Sequence, residues 1–234
     1  MFFVCLTCRL RLWTLPASVR SRCVRTIRTK ASMSIQDTLK GADSLGIPQF
    51  DHILCPAKSC FVLLVDAQAR LVPAISQSDL VVSAMDRLAR AAGILGVPVR
   101  ATEHCAEAIG PTVPPLADRL TPEQILAKRH FDATREPGLA DALTALERPV
   151  AVVAGVEAHV CVAQAAIGLG RLGWRVAVVE DACGSRREED RTAGLARLRA
   201  AGAVPVTVEA LIFEWLESAD HPKFREALAI IKER

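Results

Sequence analysis

The chain has 234 residues, 51% of them apolar and 24% charged, with 13 Gly and 13 Pro, which is enough for one sizeable hydrophobic core and excludes a disordered or fibrous protein. Its net charge of +3 is misleading, because Arg9, Arg11, Arg20, Arg22, Arg25, Arg28 and Lys30 all precede the first acid, Asp37, and without these seven the balance is 22 basic against 26 acidic residues, or −4. A body so charged exerts no overall pull on nucleic acid or an acidic membrane surface, although a local basic patch stays open; no apolar run is long enough to span a membrane as a helix, and without Tyr no phenol can act as acid or base.

Residues 1–33 (MFFVCLTCRLRLWTLPASVRSRCVRTIRTKASM) are rich in Arg, Ser and Thr, free of acids and interspersed with apolar residues, as mitochondrial import segments are. The alternative is an extension upstream of a start at Met33, which would leave the protein cytoplasmic. Either way the folded domain is expected over 34–234. In a reducing matrix or cytosol the eight cysteines stay thiols. Cys5 and Cys8 form a C-x-x-C inside the import-like segment, and no second pair at matching spacing completes a zinc site.

The run CFVLLVD (60–66) predicts a strand buried on both faces that delivers Asp66 to the point where the chain leaves the sheet. An Asp there either serves chemistry or caps the next helix. A helical pattern covers 76–95, and VPVRATE (97–103) predicts the second strand. Lys128 lies in ILAKRHFDA, a short segment preceded by TPEQ with Thr121 as its cap. After a helical pattern over 137–146, the strand PVAVVAG (149–155) runs directly into GVEAHVCVAQAAIGL, whose helix is expected over 158–172.

Cys161 therefore falls in the first turn of a helix, where the positive end of the macrodipole favours thiolate, the nucleophilic form. A buried Cys is otherwise an inert apolar filler. GLGRLG (168–173) matches G-x-G-x-x-G, but it ends that helix and leads into the strand WRVAVVED (174–181), the reverse of the order a dinucleotide site needs. This speaks against a nicotinamide dehydrogenase. Helix 186–201 follows, with Ser185 and Glu188 spaced as a capping box and Gly202 at its end, then the strand AVPVTV (203–208) and a helix over 209–217. The alternation predicts an α/β fold, a three-layer αβα sandwich around a mostly parallel sheet, which binds ligands at the carboxyl ends of its strands.

A strand ending in D-x-Q (Asp66, Gln68), a Lys in K-x-x-F (Lys128, Phe131) and G-V-E-x-x-V-C-V opening a helix together resemble the isochorismatase-like cysteine hydrolase family, over about residues 55–233. TEHCAEAIGPTVPPL (102–116), EDACGSRREEDR (180–191) and HPKFREALAIIKE (221–233) resemble its small isochorismatase domain-containing members. The resemblance implies a Rossmann-like fold and a catalytic triad of Asp66, Lys128 and Cys161. It also implies a cis peptide between Val156 and Glu157, with the backbone N–H groups of Glu157 and Cys161 as an oxyanion hole. The implied reaction cleaves a small amide or related acyl compound through a thioester, with Asp66 moving the proton and Lys128 orienting it, and needs no cofactor.

Family members that hydrolyse nicotinamide carry a D-x-H…H metal cluster, whereas Thr102-Glu103-His104 here has no second His nearby, so no metal is expected. The namesake isochorismate hydrolase has a small residue in place of the nucleophile, so the thiol favours acyl chemistry over vinyl ether hydrolysis. Gln68, His104, His130 and His159 are candidates for the pocket lining; for each His the alternative is a hydrogen-bonded structural role. The expected partners are a small-molecule substrate and further copies of the chain, because the stretch with Phe213, Trp215, Leu216 and Phe224 carries more apolar area than one helix face buries. The competing reading is a non-catalytic or RNA-associated oligomeric protein on the same fold, which the −4 body disfavours.

Overall fold

The computed structural model describes residues 53–233; the import-like segment 1–33 lies outside them. The strands are β1 (Cys60–Val65), β2 (Val99–His104), β3 (Ile125–Lys128), β4 (Val150–Val156), β5 (Arg175–Gly184) and β6 (Val204–Val206). They form one sheet in the order β3-β2-β1-β4-β5-β6, and every neighbouring pair is parallel. Between them run helices α1 (Ser78–Ile94), α2 (Ala106–Ile109), α3 (Pro114–Ala117), α4 (Leu139–Thr144), α5 (Ala163–Arg171) and α6 (Glu188–Ala200), and after β6 follow α7 (Val208–Leu216) and α8 (Phe224–Lys232).

Strand alternation divides the apolar residues between two cores. Val62, Leu64, Val152 and Ala154 point to one face, where Met85 and Leu88 of α1, Leu211 and Ile212 of α7 and Ile230 of α8 cover them. Phe61, Leu63, Val65, Ala151 and Val153 point to the other, beneath Leu143 of α4, Leu169 of α5 and Leu195 and Leu198 of α6. With both faces covered, every residue of β1 and β4 is buried, which is why these strands read as continuous apolar runs. This is the expected αβα sandwich. The chain steps outward from β1 to β3 and then returns to β4 on the other side of β1, so the strand order reverses between β1 and β4, and the crevice outside their carboxyl ends is where such sheets bind ligands.

Several local expectations need correction. The segment carrying Lys128 is a sixth strand, β3, hidden from pattern reading because only one of its four residues, Lys128 itself, is buried. A further helix, α8, buries Ala227, Ile230 and Ile231 against the first core. β5 continues to Gly184, and the β4 register against it shifts between Val153 and Gly155, a bulge that lengthens β5 past the expected Asp181. Ser185 is not a cap: α6 starts at Glu188 with Arg187 before it, and the buried Ser185 hydroxyl lies 3.0 Å from His159 Nδ1. The aromatic C-terminal stretch belongs to the chain's own core, with Trp215 and Leu216 each 2% exposed and only Phe213 of the four largely exposed, so it supplies no broad apolar surface for a partner. Gly202, at φ +91°, ends α6 as expected, and GLGRLG closes α5 before β5.

Candidate active site

Three strand ends converge at the carboxyl edge. The chain leaves β1 at Asp66, whose left-handed backbone (φ +51°) turns it out of the strand while its N–H still donates to the Thr102 carbonyl at 3.1 Å. In the parallel register Val65 sits beside Thr102 and His104 beside Lys128, so Thr102, His104 and Lys128 share the face on which Val65 and Cys161 are buried. The Thr102 hydroxyl donates to Asp66 Oδ1 and the Lys128 ammonium to Asp66 Oδ2, both at 2.7 Å. Lys128 Nζ also donates to the His130 carbonyl at 3.2 Å. Neither side chain of the ion pair has any exposure. Taking two such charges out of water costs several kcal/mol each, so the pair is held together by satisfying both carboxylate oxygens with donors.

Gly155 makes this approach of β1 and β4 feasible: a Cβ there would lie 2.1 Å from the Val65 carbonyl oxygen, and its φ of +130° suits glycine alone. After β4 the chain crosses the cis Val156–Glu157 peptide into a π-helical turn, Ala158–Val162, before α5 proper begins at Ala163. The Glu157 carbonyl accepts from the N–H groups of Val160 and Val162 on either side of Cys161, and the Glu157 carboxylate holds Arg186 through its N–H at 2.9 Å and its Nε at 3.0 Å. Gly194 of α6 lets that helix press onto the turn, since a Cβ there would meet His159 Cα at 2.7 Å.

The turn brings Cys161, 6% exposed, near enough to Asp66 and Lys128 for the charges of both to act on its sulfur. The expectation of a thiolate at rest is corrected. Burial first, and then the Asp66 carboxylate, push the Cys161 thiol up to about 12, against the opposing pull of Lys128. Cys161 does lie in the opening turn of the helical run that begins at Ala158 and continues as α5, but burial comes first in setting its ionisation. What the arrangement offers is a thiol with a proton acceptor nearby.

The four lining candidates separate into distinct roles. Gln68 is fully buried and occupied: its Nε2 donates to the carbonyls of His104 (3.1 Å) and Gly110 (2.6 Å), and its Oε1 accepts from the His104 N–H (2.8 Å). It clamps the end of β2 to the following loop. The His130 ring is exposed and binds Glu136 at 2.9 Å; its contribution to the site is its carbonyl. Glu136 is held down to about 2, chiefly by the Arg129 N–H and then by His130. His159 is held by Ser185. His104 stacks on Phe131 with centroids 5.0 Å apart, its Nδ1 is buried without a hydrogen-bond partner among the described residues, and burial followed by the Lys128 charge lowers its pKa. Sequence reading does not single out Thr102; nothing in VRATEH (99–104) sets its hydroxyl apart, because its place beside Asp66 follows from the register of β1 against β2. Among the described residues no group of three or more His, Cys, Asp or Glu could hold a metal ion.

A doubly wound parallel sheet with an Asp–Lys pair and a Cys at its carboxyl edge defines a class of α/β enzyme-like folds, and comparison with known proteins narrows it. Residues 60–210 match the model of the isochorismatase domain. Isochorismatase domain-containing protein 2A of Mus musculus is 36% identical over 178 residues, 75% of this chain and 84% of that protein. Among solved structures, the MAR1 ribonuclease of Caenorhabditis elegans superposes with a TM-score of 0.71 at 32% identity, covering 76% of this chain and 92% of that one. The YcaC gene product of Escherichia coli, described as an octameric hydrolase of unknown specificity, superposes with a TM-score of 0.68 at 26% identity, covering 79% and 89%. The chain belongs to the isochorismatase family.

Proposed function

We propose that the protein is a cysteine hydrolase that cleaves a small amide or related acyl substrate, with Cys161 as nucleophile, Asp66 as proton carrier and Lys128 as the group that fixes Asp66. The supporting observation is the fully buried Asp66–Lys128 pair, 2.7 Å apart, whose charges act on the Cys161 thiol. The Cys161 proton passes to Asp66 as sulfur attacks the carbonyl carbon, and the resulting oxyanion is received by the backbone N–H groups of Glu157 and Cys161. Collapse breaks the C–N bond, the departing nitrogen takes the proton from Asp66, and a thioester remains. Water then gives its proton to Asp66 while attacking the thioester, and the acid leaves as that proton returns to the sulfur. Removing one oxyanion donor from such a site costs on the order of 10² in rate or more.

Incubation with small primary amides, acid quenching and mass mapping tests this reading. An acyl adduct on Cys161 alone, absent from Cys161→Ser, is the expected result; hydrolysis that persists in Cys161→Ser contradicts it. The protein is also inferred to work as a homo-oligomer, as the E. coli relative does, and light scattering that returns a monomer at micromolar concentration contradicts this. A second reading, RNA cleavage or binding, is favoured by the name of the C. elegans neighbour. Retention of RNA on filters with a steep loss at rising salt supports it, and no retention leaves amide hydrolysis as the function.

A further inference from the structure

A cluster of charge that the proposed reaction does not use lies where the turn Ala133–Arg135 meets α5 and α6. There a cleft of about 610 Å³ is lined by Thr134, Arg135, Gln164, Arg171, Arg197 and the acid Asp132. Gln164 and Arg171 stand seven residues apart, on one face of α5, and Gly168 lies between them on that face. A Cβ at Gly168 would come within 2.4 Å of both Asp132 Oδ1 and Thr134 Oγ1, so glycine is what lets the turn seat against the helix. Asp132 Oδ1 then accepts from the Thr134 N–H at 2.9 Å and its hydroxyl at 2.7 Å, which fixes the wall of the cleft.

The three arginines differ from their neighbours. Arg129, Arg186, Arg191 and Arg199 each pair with a glutamate, whereas the side chains of Arg135, Arg171 and Arg197 make no hydrogen bond or ion pair among the described residues. Arg171 and Arg197 stand in the last turns of α5 and α6, where a helix end offers only about half a negative charge. Two such ends and Asp132 still leave the cleft with roughly one net positive charge and nearly all the guanidinium donors free. Planar guanidinium forks match pairs of phosphate oxygens. The volume falls within the range of small-molecule sites, roughly 300–1,000 Å³, and exceeds what one phosphate fills. A compact anion feels only charges within a Debye length of about 8–10 Å, so the local guanidinium cluster governs its binding.

We propose that this cleft binds a compact, multiply charged phosphate anion through Arg135, Arg171 and Arg197. Its occupancy is separate from the thiol chemistry. Titration calorimetry of the full chain with inorganic tripolyphosphate at low ionic strength tests it, with a single-stranded RNA oligonucleotide as competitor. One saturable site is expected, with Arg135→Gln, Arg171→Gln and Arg197→Gln each weakening it by about tenfold or more, the triple variant abolishing it, and Cys161→Ser leaving it unchanged. The arginines are exposed, so melting of the ligand-free variants is expected to match the parent and separates lost binding from lost folding. Absence of binding, or binding that survives in the triple variant, overturns the proposal. An oligonucleotide that displaces tripolyphosphate at lower phosphate concentration overturns the compact-anion assignment in favour of nucleic acid. A triple variant that changes oligomeric state in light scattering assigns the arginines to a contact between copies and overturns it as well.

Discussion

Cys161 and Cys183 lie at the carboxyl ends of the adjacent strands β4 and β5, both are buried, and both thiols are pushed up to about 12. For Cys183 burial comes first, a backbone hydrogen bond and the charge of Arg191 oppose it, and the carboxylates of Asp181 and Glu180 act on it through charge alone. For Cys161 burial also comes first, but the next cause is a carboxylate that can take the proton, and Lys128 stands by to hold the sulfur's charge. An elevated pKa therefore does not separate a reactive thiol from an inert one in this molecule. A base positioned to take the proton does.

The comparison breaks most sharply at the base. Asp66→Asn is expected to slow capture of Cys161 by acrylamide by about 10² to 10⁴, the range a positioned base contributes, and to leave Cys183 as unreactive as before. Timed mass mapping of the two peptides reads both rates; an equal loss at both, or none at Cys161, contradicts the distinction.

Lys128→Met leaves Asp66 buried without its cation and is expected to cost about 3–5 kcal/mol of stability in denaturant unfolding, while Asp66→Asn/Lys128→Met recovers most of that loss without recovering thiol capture. A double variant no more stable than the single one would mean that the pair is not coupled. Thr102→Val removes the donor to Asp66 Oδ1 and is expected to cost about 1–3 kcal/mol, with Thr102→Ser restoring it.

The smallest effect is on alkaline stability. Both thiols have folded pKa values above the ordinary 9.0, so they weaken the fold only where the unfolded chain ionises and the folded one does not. Stability is unaffected by them below about pH 9 and falls as pH rises from there towards about 12. Urea midpoints of Cys183→Ala should fall less steeply over that window than those of the parent.

Asp66 and Cys161 were legible because each follows a strand whose residues are all apolar and all buried, so the strand ends announce themselves. Lys128 was less legible from pattern: its segment between the second strand and the fourth stands out only as a short run with a cation, since β3 is a four-residue edge strand with one buried position, and the resemblance carried by K-x-x-F gave it a role. Thr102 stayed hidden because what distinguishes it is the register of β1 against β2, a long-range property. Ser185 was misread for the same kind of reason. Its spacing to Glu188 fits a local cap, but the β5 bulge places its hydroxyl against His159 instead. The fold followed from alternation, whereas the ionisation state of Cys161 depends on burial and on side chains 33 and 95 positions away in sequence.

The most direct measurement is the pH profile of acrylamide capture at Cys161. Proton transfer from sulfur to Asp66 leaves the net charge of the pair unchanged, so the rate should be flat from about pH 7 to about pH 10, without an inflection near 9. A rate that climbs sigmoidally through pH 9 in the parent protein, as for an ordinary thiol, and is unaltered in Asp66→Asn, would show that the sulfur ionises to solvent and that Asp66 takes no part.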